Sequence, residues 1–147
     1  MDSKYLSYSW DSFKRDIDIL ADSIWKWKYK YILAVTKGWL IPAYFLADAL
    51  DIKIVKTICL SSYNGRKQGD IVHNRIEWFS EDILRNHKDW LVVDDIVDSW
   101  KTMNYIRNKY GVSIAFASIF KRPNVESPKY FVKESQDWIR FPWERRS

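Results

Sequence analysis

The chain has 147 residues, 47% of them apolar, enough for one domain that buries roughly 70% of its unfolded surface. It has no run of about 18 uncharged apolar residues, and its amino end lacks the apolar core of a secretory signal, so a transmembrane helix is excluded and a cytoplasmic protein expected. The net charge of +5 is scattered apart from small clusters such as Lys26/Lys28/Lys30 and Arg145/Arg146, which suits a solvated face or a small phosphorylated substrate better than nucleic acid.

Taken in chain order, Trp10, Phe13, Ile17, Leu20, Ala21, Ile24 and Trp27 recur at the spacing of an amphipathic helix, with Ser9 as its cap. Tyr31 to Val35 reads as a short buried strand. A turn at Thr36, Lys37 and Gly38 follows, then a helix from Ile41 to Leu50 with Pro42 in its first turn. Ile52 to Leu60 is β-branched and partly alternating, a second strand. The only cysteine, Cys59, lies inside that run and is expected as a buried thiol; being alone, it excludes an internal disulfide and a metal–thiolate cluster. The polar stretch from Ser61 to Asp70, with Gly65 and Gly69, predicts a mobile loop, and Ile71 to Trp78 a hairpin arm returning from it. His73 and His87 are too isolated for a zinc motif. Trp90 to Val93 reads as a strand, Ser99 to Tyr110 as a helix ended by Gly111, Val112 to Phe120 as a strand and Tyr130 to Val132 as a short edge strand. This alternation predicts an α/β fold with a mainly parallel sheet flanked by helices, in a single domain over 1–147.

The segment LVVDDIVDSWKT, Leu91 to Thr102, carries the chemistry. An apolar run ends in Asp94, Asp95 and Asp98, at the carboxyl end of a buried strand, where open α/β sheets bind their ligands. Neighbouring carboxylates suit the adjacent hydroxyls of a ribose while one of them reaches a magnesium ion, and Asp98 would face the same pocket if the chain turns. The alternative is that Asp94 and Asp95 are loop residues and that Asp98 or Ser99 caps the next helix. Backbone amides at a helix start, with the hydroxyls of Ser99 and Thr102, form an anion cradle that favours the phosphate reading. The spacing is not GxxxxGK[ST], so Lys101-Thr102 is not a P-loop.

DDIVDSWKT resembles the ribose-phosphate signature of type I phosphoribosyltransferases: two acidic residues, two apolar ones, then Asp-Thr-Gly-x-Thr. Trp100 stands in the glycine position. The resemblance covers nearly the whole chain and points, within that family, to the bacterial xanthine-guanine members. ILAVTKGWLIPAYFLADALDI is similar to the family's strand, pyrophosphate loop and helix, with Lys37 for an arginine and Trp39 for a second glycine. CLSSY, Cys59 to Tyr63, is similar to the entry into its flexible catalytic loop. IFKRP and DWIRFPW resemble its purine-recognition segments. Alignment puts Arg122, rather than Lys121, at the lysine that donates to the purine O6, Trp138 at the residue that stacks on the base, and Ile139 beside it; Trp143 is read as structural.

The resemblance implies a type I phosphoribosyltransferase-like sheet with a flexible loop over the site and a small C-terminal base-recognition region. It implies transfer of ribose 5-phosphate from phosphoribosyl pyrophosphate to a 6-oxopurine, in a homodimer or homotetramer with no nucleic-acid partner. Asp98 would be the general base; Asp94 and Asp95 would hold the ribose, with Asp95 on Mg2+. Ser99, Trp100, Lys101 and Thr102 would line the 5'-phosphate site, and Lys37 and Gly38 the pyrophosphate site. Trp39 and Trp100 motivate a second hypothesis, a catalytically silent nucleotide sensor on the same fold. A tryptophan forced into glycine's left-handed conformation costs roughly 1 to 2 kcal/mol. An altered purine or donor is a third possibility. A nucleic-acid module rests only on charge and the nine tryptophans.

Overall fold

The computed structural model of the chain describes residues 5–36, 39–64, 67–73, 85–97, 100–111 and 113–145, without the side chains of residues 36, 61–64, 67–73 and 100. A short strand β1 (Tyr5–Ser7) leads to helix α1 (Trp10–Asp22), capped by Ser9, whose hydroxyl accepts from the Ser12 amide at 3.1 Å. The helix stops short of the predicted Trp27. The Ser23 hydroxyl donates to the Leu20 carbonyl at 2.6 Å, competing with the helical ladder, and Trp27 takes a φ of 75° that no helix accommodates. Ile24 stays in the core, while Trp25 and Trp27 are exposed.

Strand β2 (Tyr31–Thr36) and helix α2 (Leu40–Leu50) follow. Helix α2 closes on Asp51 in a left-handed conformation, and the Ile52 amide donates to the Ala47 carbonyl at 2.8 Å, the six-to-one bond of a helix stop. Strand β3 (Ile54–Asn64) then runs four residues past the predicted end and pairs antiparallel with β4 (Lys67–His73). The stretch expected as a loop is therefore largely a hairpin. Asn64 pairs with Lys67, and Gly65 and Arg66 stand between them in the sequence. Both lie outside the described residues, as does Asn74 to Trp78 of the predicted returning arm. A 3-10 turn (His87–Asp89) enters β5 (Trp90–Val97), which continues through the acidic pair.

Helix α3 (Trp100–Tyr110) ends at Gly111, whose φ is +144° and where a Cβ would meet the His87 ring at 3.1 Å. Both constraints select glycine. Strand β6 (Ala115–Lys121) starts three residues later than expected, after Ile114. Strand β7 (Tyr130–Glu134) sits at the sheet edge as predicted, and a further short strand, β8 (Trp138–Arg140), pairs with β1.

The main sheet has the order β4-β3-β2-β5-β6-β7, parallel except for β4. Parallel strands covered on both faces read as continuous apolar runs, and β2 shows why. Ile32 and Ala34 pack toward α1 and α2, while Leu33 and Val35 pack with Met103 and Ile106 of α3. Cys59 is half-buried rather than buried, because β3 lies next to the edge strand and is exposed from Ile54 to Thr57.

One buried carboxylate ties α1 to the far edge of the sheet. Asp16 accepts a hydrogen bond from the Tyr8 hydroxyl and pairs with Lys133 of β7 at 2.9 Å, its side chain only 1% exposed. Removing the cation leaves the buried carboxylate with only the longer Arg15 contact at 3.9 Å as an ion pair among the described residues, so Lys133→Met should lower the unfolding free energy by about 2 kcal/mol in denaturant titrations. An unchanged midpoint would show that the pair contributes nothing net. Burial and Asp16 also push the Tyr8 hydroxyl well above its ordinary value of 10.0. The contribution of this protonated phenol is fully present below the unfolded value and is lost as the pH rises past about 10. Stability should fall progressively from about pH 10 upward, toward the raised folded value, and Tyr8→Phe should lessen that fall while Tyr29, likewise raised by burial, keeps part of it; an equal fall in the variant would contradict this.

Candidate active site

Neighbours of β2 are reached in opposite chain directions, β3 on one side and β5 on the other, so their carboxyl ends flank a topological switch point. A cavity of about 280 Å³ opens there. Val35 from β2, Leu60 from β3, and Asp94, Asp95 and Ile96 from β5 form one side. Thr102 of α3, Arg122 just past β6, and Trp138, Ile139, Phe141 and Glu144 of the C-terminal segment complete it. Six residues singled out in the sequence thus meet: Asp94, Asp95, Thr102, Arg122, Trp138 and Ile139. Lys101 sits half-buried in the first turn of α3 but does not line the cavity. Lys37, Gly38, Asp98 and Ser99, and the side chain of Trp100, lie outside the described residues.

The acidic end of the cavity is shaped by the backbone. Asp94 accepts from the Asp95 amide at 2.8 Å, and Asp95 accepts from the Ile96 amide at 2.6 Å, each through Oδ1. These bonds hold two half-buried carboxylates side by side where β5 ends. Hard carboxylate oxygens beside a helix start fit magnesium, which takes one or two protein carboxylates and keeps water and phosphate as its other ligands. The first turn of α3, where Thr102 lines the cavity, carries the unpaired amides of a helix start, which suit an anion.

The opposite end is aromatic and apolar. Trp138 is 59% exposed, Ile139 and Phe141 are buried, and together they form a wall that a planar ring can stack against. Arg122 holds this wall in place. Its amide donates to the Val97 carbonyl at 3.0 Å, and its guanidinium donates to the carbonyl of Ser135 at 3.0 Å and to that of Asp137. Lys121, its neighbour, points elsewhere: its ammonium is paired with Glu134 at 3.0 Å and donates to the Val125 carbonyl at 3.2 Å. Phe141 and Glu144 were not singled out by sequence reasoning. Phe141 lies within the DWIRFPW block, but nothing in that block marked it apart from its neighbours, and Glu144 carried no signal at all.

Neither tryptophan at the phosphate turns needs a left-handed backbone. Trp39 has φ −104° and Trp100 is the first residue of α3. Trp39 is 2% exposed, its indole turned into the core against Phe141.

A parallel sheet with paired carboxylates and a helix start at its switch point, closed by an aromatic wall, defines an open α/β ligand-binding domain. The chain belongs to the phosphoribosyl transferase domain family, whose model matches residues 9–146. It is 37% identical over 155 residues to the xanthine-guanine phosphoribosyltransferase of Desulfotalea psychrophila, covering 95% of this chain and 86% of that protein. It is 31% identical to that of Chromohalobacter salexigens, covering 92% and 82%. Among solved structures it is similar to a purine phosphoribosyltransferase from Pyrococcus horikoshii, at a TM-score of 0.82 and 29% identity over 97% of this chain and 96% of that one.

The Arg122 bonds lead to a stability prediction. Charge-assisted bonds to two carbonyls make Arg122→Ala destabilising by about 2 kcal/mol, with Arg122→Lys recovering only part because an ammonium lacks the planar fork. Urea unfolding checks this; a neutral Arg122→Ala would refute the clamp.

Proposed function

We propose that this chain is a 6-oxopurine phosphoribosyltransferase, which transfers ribose 5-phosphate from phosphoribosyl pyrophosphate to guanine, xanthine or hypoxanthine. The observation that carries the reading is the convergence of Asp94, Asp95 and Thr102 with Arg122, Trp138 and Ile139 around one cavity, in a chain of this family whose relatives are named xanthine-guanine phosphoribosyltransferases. The bond from the anomeric carbon to pyrophosphate breaks, the bond to purine N9 forms, and the proton displaced from the purine passes to a base.

Each residue then has a task. The purine stacks on Trp138 beside Ile139, with Arg122 near its O6. Asp94 and Asp95 hold the ribose hydroxyls, and Ser99, Trp100, Lys101 and Thr102 surround the 5'-phosphate. Asp98 takes the purine proton, and Lys37 with the amide of Gly38 meets the pyrophosphate, whose developing charge is where electrostatic stabilisation counts most. Mg2+, held through Asp95, supplies charge neutralisation to the leaving group when bound. The same reading makes the chain a single-domain cytoplasmic enzyme, a homodimer or homotetramer without a nucleic-acid partner; no described helix is long and apolar enough to cross a membrane. The silent-sensor alternative draws on bulky residues in place of both glycines; the inward packing of Trp39 favours the enzyme reading over it.

The test is nucleotide formation from phosphoribosyl pyrophosphate and Mg2+ with each of the three bases. Turnover is expected with at least one, and Asp98→Ala should lower kcat by about 10² to 10⁴. No turnover with any base would overturn the assignment; full activity in Asp98→Ala would move the general base elsewhere.

A further inference from the structure

We infer that Trp39 is a positioning residue for the purine: through Phe141 its indole sets the wall of the base pocket and ties that wall to the turn after β2. The inference rests on the phosphoribosyltransferase reading above and extends it to a residue with no assigned role in it.

Trp39 stands where the family resemblance expects glycine, yet its side chain fills the core rather than the turn. Its backbone is fixed as the cap of α2, with its carbonyl accepting from the Ala43 amide at 2.9 Å. Its indole meets the Phe141 ring edge-on, centroids 6.1 Å apart at 81°. Phe141 in turn lines the cavity two residues beyond Ile139, so its position governs that of the segment bearing Ile139 and Trp138. Tyr8, Phe120 and Trp143 also contact Phe141, but Trp39 alone among these neighbours directly follows Lys37 and Gly38 in the chain. Deleting the indole opens a void beside Phe141, and neighbouring side chains relax only partly into such voids. A wall displaced by a fraction of an ångström misplaces the base against the anomeric carbon, a geometry to which transfer rates are sensitive.

The test is a split of kinetic constants. Trp39→Gly, Trp39→Phe, Phe141→Leu and the Trp39→Gly/Phe141→Leu double variant are compared with the unaltered chain for guanine KM, phosphoribosyl pyrophosphate KM, kcat and thermal unfolding. Trp39→Gly should raise guanine KM about tenfold while donor KM stays within about twofold. Trp39→Phe, which keeps a ring, should restore most of the loss. The double variant should cost little more than the worse single one, because both act on one contact. A loss confined to donor KM, an equal loss on both substrates, additive effects, or an unchanged guanine KM would each overturn the inference. Should Trp39→Gly not fold, Trp39→Leu carries the same expectation. Absence of turnover in the unaltered chain would instead strike the assigned activity; guanosine 5'-monophosphate affinity in the same variants then decides the role of Trp39, and an unchanged affinity overturns it.

Discussion

The packing of Phe141 between Tyr8, Trp39, Phe120 and Trp143 is the contact on which the site most depends. Ring centroids lie between 4.9 and 6.1 Å apart, edge-on except for the stacked pair with Trp143. Among the described residues, the C-terminal segment that closes the cavity pairs through the three-residue strand β8 with an equally short β1, aided by Arg122 on the Ser135 and Asp137 carbonyls. Such a pair is marginal alone. Aromatic packing supplies what the ladder lacks: Trp143 rests on Phe13 and Trp10 of α1, so the aromatic wall of the cavity is bolted to the first helix and the central sheet together. A chain that is 17% aromatic spends several of its rings there.

The second constraint is the burial of the sheet on both faces. Because β2 and β5 are covered by helices on each side, polar groups are tolerated only at their ends, and Asp94 and Asp95 occur where β5 emerges at the switch point. Fold and chemistry therefore share a cause. The strand order that buries β2 in the centre also leaves a crevice between the ends of β2 and β5, and that crevice is where carboxylates, a helix start and the aromatic wall converge. The Asp16–Lys133 pair serves the same architecture from the other side, fixing α1 against β7.

Much of this was legible in the sequence. The apolar runs around Ile32 and Val92 can satisfy only a strand buried on both faces, and Ser9 and Gly111 mark helix ends by their local chemistry. What escaped was set by long-range contact. The returning arm from Ile71 was expected and lies, as far as His73, in β4, but Ser61 to Asp70 is polar, and polar strands lack the periodicity that distinguishes strand from loop. The early end of α1 depends on the Ser23 hydroxyl bonding back to Leu20, and apolar spacing through Trp27 conceals it. Strands β1 and β8 are too short to carry a pattern. At the site, the acidic pair and Trp138 stand out as residue types, whereas Phe141 resembles any core aromatic until the fold brings it beside Trp39, and Trp39 itself read as an obstacle because the sequence does not say which way its ring turns.

A crystal structure of the chain with guanosine 5'-monophosphate would show whether one cavity holds all three parts of a purine nucleotide. The phosphate is expected on the first turn of α3 at Thr102, the ribose hydroxyls at Asp94 and Asp95, and the base against Trp138 and Ile139. A nucleotide bound away from the β2–β5 switch point, or bound there with its base and phosphate ends exchanged, would contradict that placement.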